Sequence, residues 1–217
     1  MSSRTGLTGV RRGRSRAPVS RLGAIAVVAF SSLTAATAQA SAEAKLHATF
    51  VGDSVSASIG YLPAARSQLR RGLRVTLDLE VCRRLVAPSC SHRASTPPSA
   101  LAAVQAYGRS LGDVLIVNVG YHDAAAGYAE GIDRVMGTAV AQGVRRVVWV
   151  TLRETSPGYR RTNAAIERAA KRWPQLVVAD WEAYSRGQAW FGRDGLHLTP
   201  SGAVAFASFV RPYVVSR

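Results

Sequence analysis

From Leu46 onward the chain alternates short runs of β-branched and aliphatic residues with longer amphipathic stretches. Few folds accept that rhythm. Strands joined by helical crossovers run parallel, and a parallel sheet is covered by helices on both faces, so its strands read as continuous apolar runs. Five such runs are present: His47 to Val51 leading into Gly52, Arg74 to Val81, Val114 to Val119 ending at Gly120, Val147 to Leu152, and Leu176 to Ala179. Helical periodicity is expected near residues 55–70, 98–110, 128–142, 158–172 and 200–211. The expectation is an α/β fold of about five parallel strands in a three-layer α/β/α sandwich. The stretch from Leu85 to Pro98, with Pro88, Pro97, Pro98 and several serines, reads as an irregular loop.

The first forty residues have a different character. Arg4, Arg11, Arg12, Arg14, Arg16 and Arg21 supply charge without an acidic residue, the run from Leu22 to Phe30 is apolar, and Ala38-Gln39-Ala40 fits a small-x-small cleavage site. We read residues 1–40 as a cleavable export signal, with a single domain over 41–217. The apolar run is about half the roughly 20 residues that a membrane-spanning helix requires, so no stable membrane insertion is expected after cleavage. Setting those six arginines aside from the 28 Lys and Arg leaves 22 against 13 acidic residues, about +9 in place of +15. The remaining pairs, Arg70-Arg71, Arg83-Arg84, Arg145-Arg146 and Arg160-Arg161, are scattered and accompany no nucleic-acid motif, so they read as a solvated surface. No nucleic-acid partner is expected, and the chain is expected to be a monomer. The two cysteines, Cys82 and Cys90, fall close together in the exported part. An oxidising compartment permits a disulfide, which would restrict the unfolded chain by roughly 2 to 3 kcal/mol.

In open α/β sheets ligands bind beyond the carboxyl ends of the strands. Polar residues gather at those positions: Gly52-Asp53-Ser54 after the first strand, Gly120-Tyr121-His122-Asp123 after the third, Arg153-Glu154-Thr155 after the fourth, and Asp194-Gly195-Leu196-His197 before the last helix. Ser54 precedes a helix, where free backbone N–H groups point at a forming oxyanion. Serine is also a common helix N-cap, and the tripeptide alone favours that role. Asp194 and His197 are three residues apart, ahead of Thr199-Pro200. That spacing lets a carboxylate accept the imidazole Nδ1–H and leave Nε2 to take a serine proton. This fold brings both motifs to one sheet edge. His47 and His92 have no partners spaced for metal binding and are read as structural or exposed.

The order Gly52-Asp53-Ser54, Gly120-x-x-Asp123 and Asp194-x-x-His197 resembles the SGNH (GDSL-like) hydrolase family across essentially the whole chain after the leader. The resemblance implies a flavodoxin-like fold, no metal or organic cofactor, and hydrolysis of esters or transfer of acyl groups. It also implies Ser54 as nucleophile, His197 as general base, Asp194 as its orienting partner, and the Ser54 N–H in the oxyanion hole. Two departures stand out. The third block carries His122 where the family usually has an oxyanion-binding Asn, and His122 is expected to donate a ring N–H in its place. The second-block glycine has no counterpart between Leu85 and Pro98, where Arg93, Ala94 or Ser95 would have to present a backbone N–H. Substrate contact is expected from Asp53, Tyr121, Arg153 and Asn163, whereas Trp190 and Phe191 are expected to pack behind the Asp/His loop.

The resulting expectation is an exported serine esterase or acyl hydrolase working through an acyl-enzyme on a small-molecule, lipid or acylated-glycan substrate. It would act in the medium or cell envelope. The alternatives are an O-acyltransferase to a glycan, or a catalytically weak surface module that binds glycan.

Overall fold

The structure, a computed structural model, describes residues 45–216. The expected leader and the expected cleavage site before Ser41 lie outside the described residues. In chain order the elements are β1 (His47–Gly52), α1 (Ser54–Tyr61), α2 (Pro63–Arg70), β2 (Arg74–Leu79), α3 (Ala100–Tyr107), β3 (Val114–Asn118), α4 (Tyr128–Ala141), β4 (Arg146–Val150), α5 (Pro157–Ala170), β5 (Leu176–Ala179), α6 (Trp181–Ser185) and α7 (Pro200–Val215). The five strands pair in parallel in the order β2-β1-β3-β4-β5. This is the flavodoxin-like order, and the chain reverses direction across the sheet between β1 and β3.

Successive residues of a strand face opposite sides of the sheet, so β3 feeds two cores at once. Leu115 and Val117 pack with Val104, Ile132, Val135, Met136 and Ile166 of α3, α4 and α5. Val114 and Ile116 pack with Ile59, Leu69, Phe206 and Val210 of α1, α2 and α7. All five β3 residues are buried, which is why the run carries no polar alternation.

Element ends differ from expectation by a residue or two at several places, and three departures have a clear local cause. The helical stretch over 55–70 breaks at Leu62, whose φ of −97° and ψ of 108° are extended. Pro63 imposes this by crowding the preceding residue out of the α region. The second strand ends at Leu79 rather than Val81, because Cys82 turns into the left-handed region at φ 71°. The short α6 has no long apolar period to announce it; Asp180 caps it by accepting the Ala183 N–H.

The Leu85–Pro98 loop is irregular as expected, and a Cys82–Cys90 disulfide pins its start. Arg83 contradicts the reading of the arginine pairs as solvated surface. Its side chain is fully buried, with Nε donating to Pro98 O at 3.1 Å and the two Nη groups to Asp78 O and Asp78 Oδ1, both at 2.7 Å. Every acceptor it needs is supplied, so the charge is tolerated and ties both ends of the loop to β2. Among the described residues no helix is long and apolar enough to cross a membrane.

Candidate active site

The turn from β1 into α1 decides what Ser54 can do. Asp53, not Ser54, is the N-cap: its Oδ1 accepts the Val55 N–H at 3.1 Å. Its Oδ2 accepts the Gly120 and Tyr121 N–H groups at 3.3 and 3.4 Å, so one carboxylate joins the first loop to the third. The residue is completely buried, and burial pushes its carboxyl up to about 7. The expectation that Asp53 touches substrate therefore does not hold; the side chain is spent on backbone N–H groups. With the cap supplied next door, the Ser54 hydroxyl stands at the first helical position, free to face another partner.

That partner is His197, whose Nε2 lies 3.0 Å from Ser54 Oγ. On the other side of the ring, His197 Nδ1 lies 2.6 Å from Asp194 Oδ2. Asp194 Oδ1 accepts the Leu196 and His197 N–H groups at 2.9 and 3.0 Å, closing a tight turn through Gly195 at φ 67°. Hydrogen bonding to His197, the largest influence, helps hold the Asp194 carboxyl down at about 2. The carboxylate therefore stays ionised over the working range of most proteins. Both side chains are half exposed, so the site is open to solvent.

The Asp/His loop is placed from behind. Thr199 caps α7 through Gly202 N, and both its N–H and its hydroxyl donate to Trp190 O. A Cβ at Gly202 would collide with that same Trp190 carbonyl, so only glycine allows the helix to start there. Trp190 stacks on the buried Trp181, and Phe191 meets Trp181 edge-on, as expected of packing residues. Arg153 braces the turn from the fourth loop. Its Nε donates to Gly195 O at 3.0 Å, and its guanidinium sits 4.0 Å above the Phe191 ring.

Three further residues expected to touch substrate have polar atoms engaged within the protein. Asn163 is buried, with Oδ1 accepting Leu152 N and Nδ2 donating to Leu152 O, each at 2.7 Å. Tyr121 is buried against Tyr159, and its hydroxyl accepts the Arg153 N–H at 2.8 Å. Arg153 is spent on the turn just described. These contacts shape the site, and Tyr121 also lines the cleft beside His122.

His122 stays partly exposed in the third loop, with Nδ1 4.0 Å from Cys90 Sγ. Its proton affinity is lowered by burial first, then by the positive charges of Arg84 and His197. Asp123 anchors the loop by accepting the Leu85 N–H on both oxygens at 3.1 and 3.0 Å. Of the Arg93–Ser95 turn, Ser95 has its N–H engaged within the turn itself. Ser95 N is bonded to His92 O, and His92 and Ser95 line a separate groove of about 930 Å³ with Tyr61, Asp78 and Tyr107. Cys82, Cys90 and His122 bring three metal-ligand atoms within 4.8 Å of one another, but the disulfide uses both sulfurs. Asp53 as cap, Arg83 as loop anchor and Gly202 as contact point were not recognisable as such from sequence, since each role depends on residues distant in the chain.

No family model matches the sequence, and no curated protein matches it. Solved structures do match the fold. A carbohydrate acetylesterase from Sinorhizobium meliloti, Est24, superposes with a TM-score of 0.60 at 13% identity, over 78% of this chain and 98% of that one. A second carbohydrate acetylesterase family member from the same organism gives 0.58 at 15% identity, over 78% and 97%. The psychrotrophic esterase EstA from Pseudoalteromonas sp. gives 0.59 at 11% identity, over 77% and 94%. The chain shares the α/β/α fold of these esterases.

Proposed function

We propose that this chain is an exported serine esterase of the SGNH type, and that Ser54, His197 and Asp194 are its catalytic groups. The observation that carries the reading is the unbroken line from Asp194 Oδ2 to His197 Nδ1 and from His197 Nε2 to Ser54 Oγ, at 2.6 and 3.0 Å. In the tautomer this line requires, Nδ1–H donates to the Asp194 carboxylate and Nε2 accepts the serine proton. Ser54 Oγ then attacks the ester carbonyl, and the imidazolium that forms is stabilised by Asp194. As the tetrahedral intermediate collapses, His197 returns the proton to the leaving alkoxide; water then enters by the same route and releases the acid.

The Ser54 N–H, at the first position of α1, is one donor to the oxyanion. His122 supplies the second. It has to do so as the neutral Nε2–H tautomer, which leaves Nδ1 unprotonated against the Cys90 sulfur, and its lowered proton affinity favours a neutral ring. The half-exposed site suits an ester presented on a larger molecule, and the carbohydrate acetylesterases among the structural neighbours make O-acetylated sugars the first class to assay. The disulfide suits an oxidising compartment, in line with the proposed export signal over residues 1–40.

The reading is tested with a fluorophosphonate probe, in keeping with the inhibition of EstA by monoethylphosphonate. Wild-type protein should be labelled and Ser54→Ala should not. Folded wild-type protein that resists the probe would leave a binding module as the better account.

A further inference from the structure

Two arginine pairs that stand far apart in the sequence are gathered by the fold. Arg70 and Arg71 end α2 just ahead of β2, and Arg145 and Arg146 lead into β4. Arg74 opens β2, Lys45 precedes β1, and Arg211 joins from α7, its Nε donating to Arg71 O at 2.9 Å. His47 is in register with Arg74, and Val114 with Arg146, so the amino ends of four strands stand side by side. Two depressions of about 780 and 710 Å³ open there and share Lys45 and Leu73 in their walls. Arg145 and Arg146 line the first, Arg70 and Arg74 the second.

Asp113 is the only acid among the described residues lining either depression, and it pairs with Arg145 at 2.7 Å. The seven cations of this face thus stand against one acid, a net +6 of the +9 carried beyond residue 40. Apart from Arg145, none of them forms an ion pair among the described residues. Neutral acceptors hold two of the guanidinium groups without cancelling their charge: Arg70 Nη2 donates to Val75 O at 3.2 Å and Arg146 Nη1 to Tyr213 O at 3.3 Å. A helix C-terminus favours cations and accounts for Arg70 and Arg71. Lys45, Arg74, Arg145 and Arg146 belong to strands and their approaches, where the dipole is small.

The triad does not account for the charge either. The six residues of β1, at about 3.3 Å each, put roughly 20 Å between this face and the turn that carries Ser54, well beyond the screening length of about 8 Å at physiological salt. The shape and lining indicate what the face receives. Two connected depressions suit a chain better than a plane of lipid headgroups, and no aromatic residue lines them to stack on bases or seat in a bilayer. Repeated carboxylates along a polymer match guanidinium groups spread along such a trough.

We propose that this trough binds a carboxylate-bearing polysaccharide outside the cell, anchoring the protein with Ser54 turned away from the bound chain. The inference draws on the proposed export and goes beyond the esterase reading, since binding here needs no catalysis.

The test titrates the full chain with polygalacturonate, and with dextran as the neutral polymer, by isothermal calorimetry. Polygalacturonate should bind, dextran should not, and added salt should weaken the binding. The combined variant Lys45→Gln/Arg74→Gln/Arg145→Gln, at three exposed positions, should weaken it about tenfold or more, whereas Arg93→Gln/Arg186→Gln/Arg193→Gln, which removes three exposed cations elsewhere, should change it less than about threefold. Residues 1–44 are the same in both variants, so the comparison reads the trough alone. Turnover of 4-nitrophenyl acetate should be unchanged in the first variant. Equal losses in the two variants, no binding of polygalacturonate by wild type, or equally tight binding of duplex DNA or phosphatidylglycerol vesicles would overturn the proposal. Failure of the esterase reading looks different: no ester is turned over above the Ser54→Ala background, while the binding results stand.

Discussion

His197 Nε2 lies 3.0 Å from Ser54 Oγ although 143 residues separate the two in the chain. The contact joins the first strand–helix turn to the last loop, and further hydrogen bonds hold both ends. Asp53 fixes the serine by capping α1 and gripping the third loop, while Thr199 and Arg153 fix the histidine turn. Preorganisation of this kind is what lets a serine hydroxyl act as a nucleophile, since the proton acceptor is in place before substrate arrives.

Removing either end of that contact should abolish turnover. Ser54→Ala and His197→Ala are each expected to lower kcat at least about a thousandfold, because groups that act as a unit are lost together. Both side chains reach the surface, so circular dichroism and thermal melting should stay near wild type. Esterase activity close to normal in either variant would remove these residues from the mechanism.

His122 offers a sharper kinetic signature. An oxyanion donor acts in the transition state, so His122→Ala should depress kcat by about a hundred- to a thousandfold with little change in KM. His122→Asn, which restores a nitrogen donor at similar reach, should recover most of the loss. If the alanine variant turns over normally, the second donor is a backbone amide.

Gly202 tests how far positioning matters at a distance from the chemistry. In Gly202→Ala the new methyl meets the Trp190 carbonyl, and the start of α7 must move away from it. Because the same carbonyl holds Thr199, the displacement is transmitted to His197. A shift of about 1 Å at a catalytic base costs on the order of a hundredfold in rate. Stopped-flow or steady-state assays should show a kcat loss of at least tenfold, alongside a lowered melting temperature. Unchanged kcat would show that the Asp/His turn is set independently of the helix.

Stability should fall as pH rises through the weakly acidic range. Burial raises Asp53 to about 7 and Asp123 to about 6, so the folded protein keeps protons that the unfolded chain releases near the ordinary carboxylate value of about 4. With more protons bound in the folded state, stability is fully present below about pH 4 and is lost between there and about pH 7. Asp194 and Asp133 are shifted down and act oppositely, costing stability only at lower pH. These two carboxyls should therefore pull the melting temperature down between pH 5 and pH 7.5, against a smaller opposite pull from the partly exposed His47 and His122, whose proton affinities burial lowers. Asp53→Asn should flatten that decline while lowering stability overall by about 1 to 3 kcal/mol, since an amide cannot accept all three N–H bonds. An Asp53→Asn slope identical to wild type would assign the effect elsewhere.

How much of this is legible in the chain depends on whether the physics is local. Five apolar runs and their intervening helices are readable because a parallel strand buried on both faces is almost wholly apolar, and β3 shows this from Val114 to Val117 before ending on the buried Asn118. The loop from Leu85 to Pro98 and its cysteine pair are readable for the same reason, proline and short spacing being local constraints. Side-chain roles are not local. Asp53 and Asn163 look like substrate ligands in sequence, yet tertiary structure commits them to backbone groups of distant loops, because a buried polar atom must find a partner wherever the fold supplies one. Arg83 and Arg84 are identical neighbours in sequence. Only the packed loop separates them, giving Arg83 three acceptors and Arg84 Nε none among the described residues, since the supply of acceptors is decided by where the chain folds back and not by the residue itself.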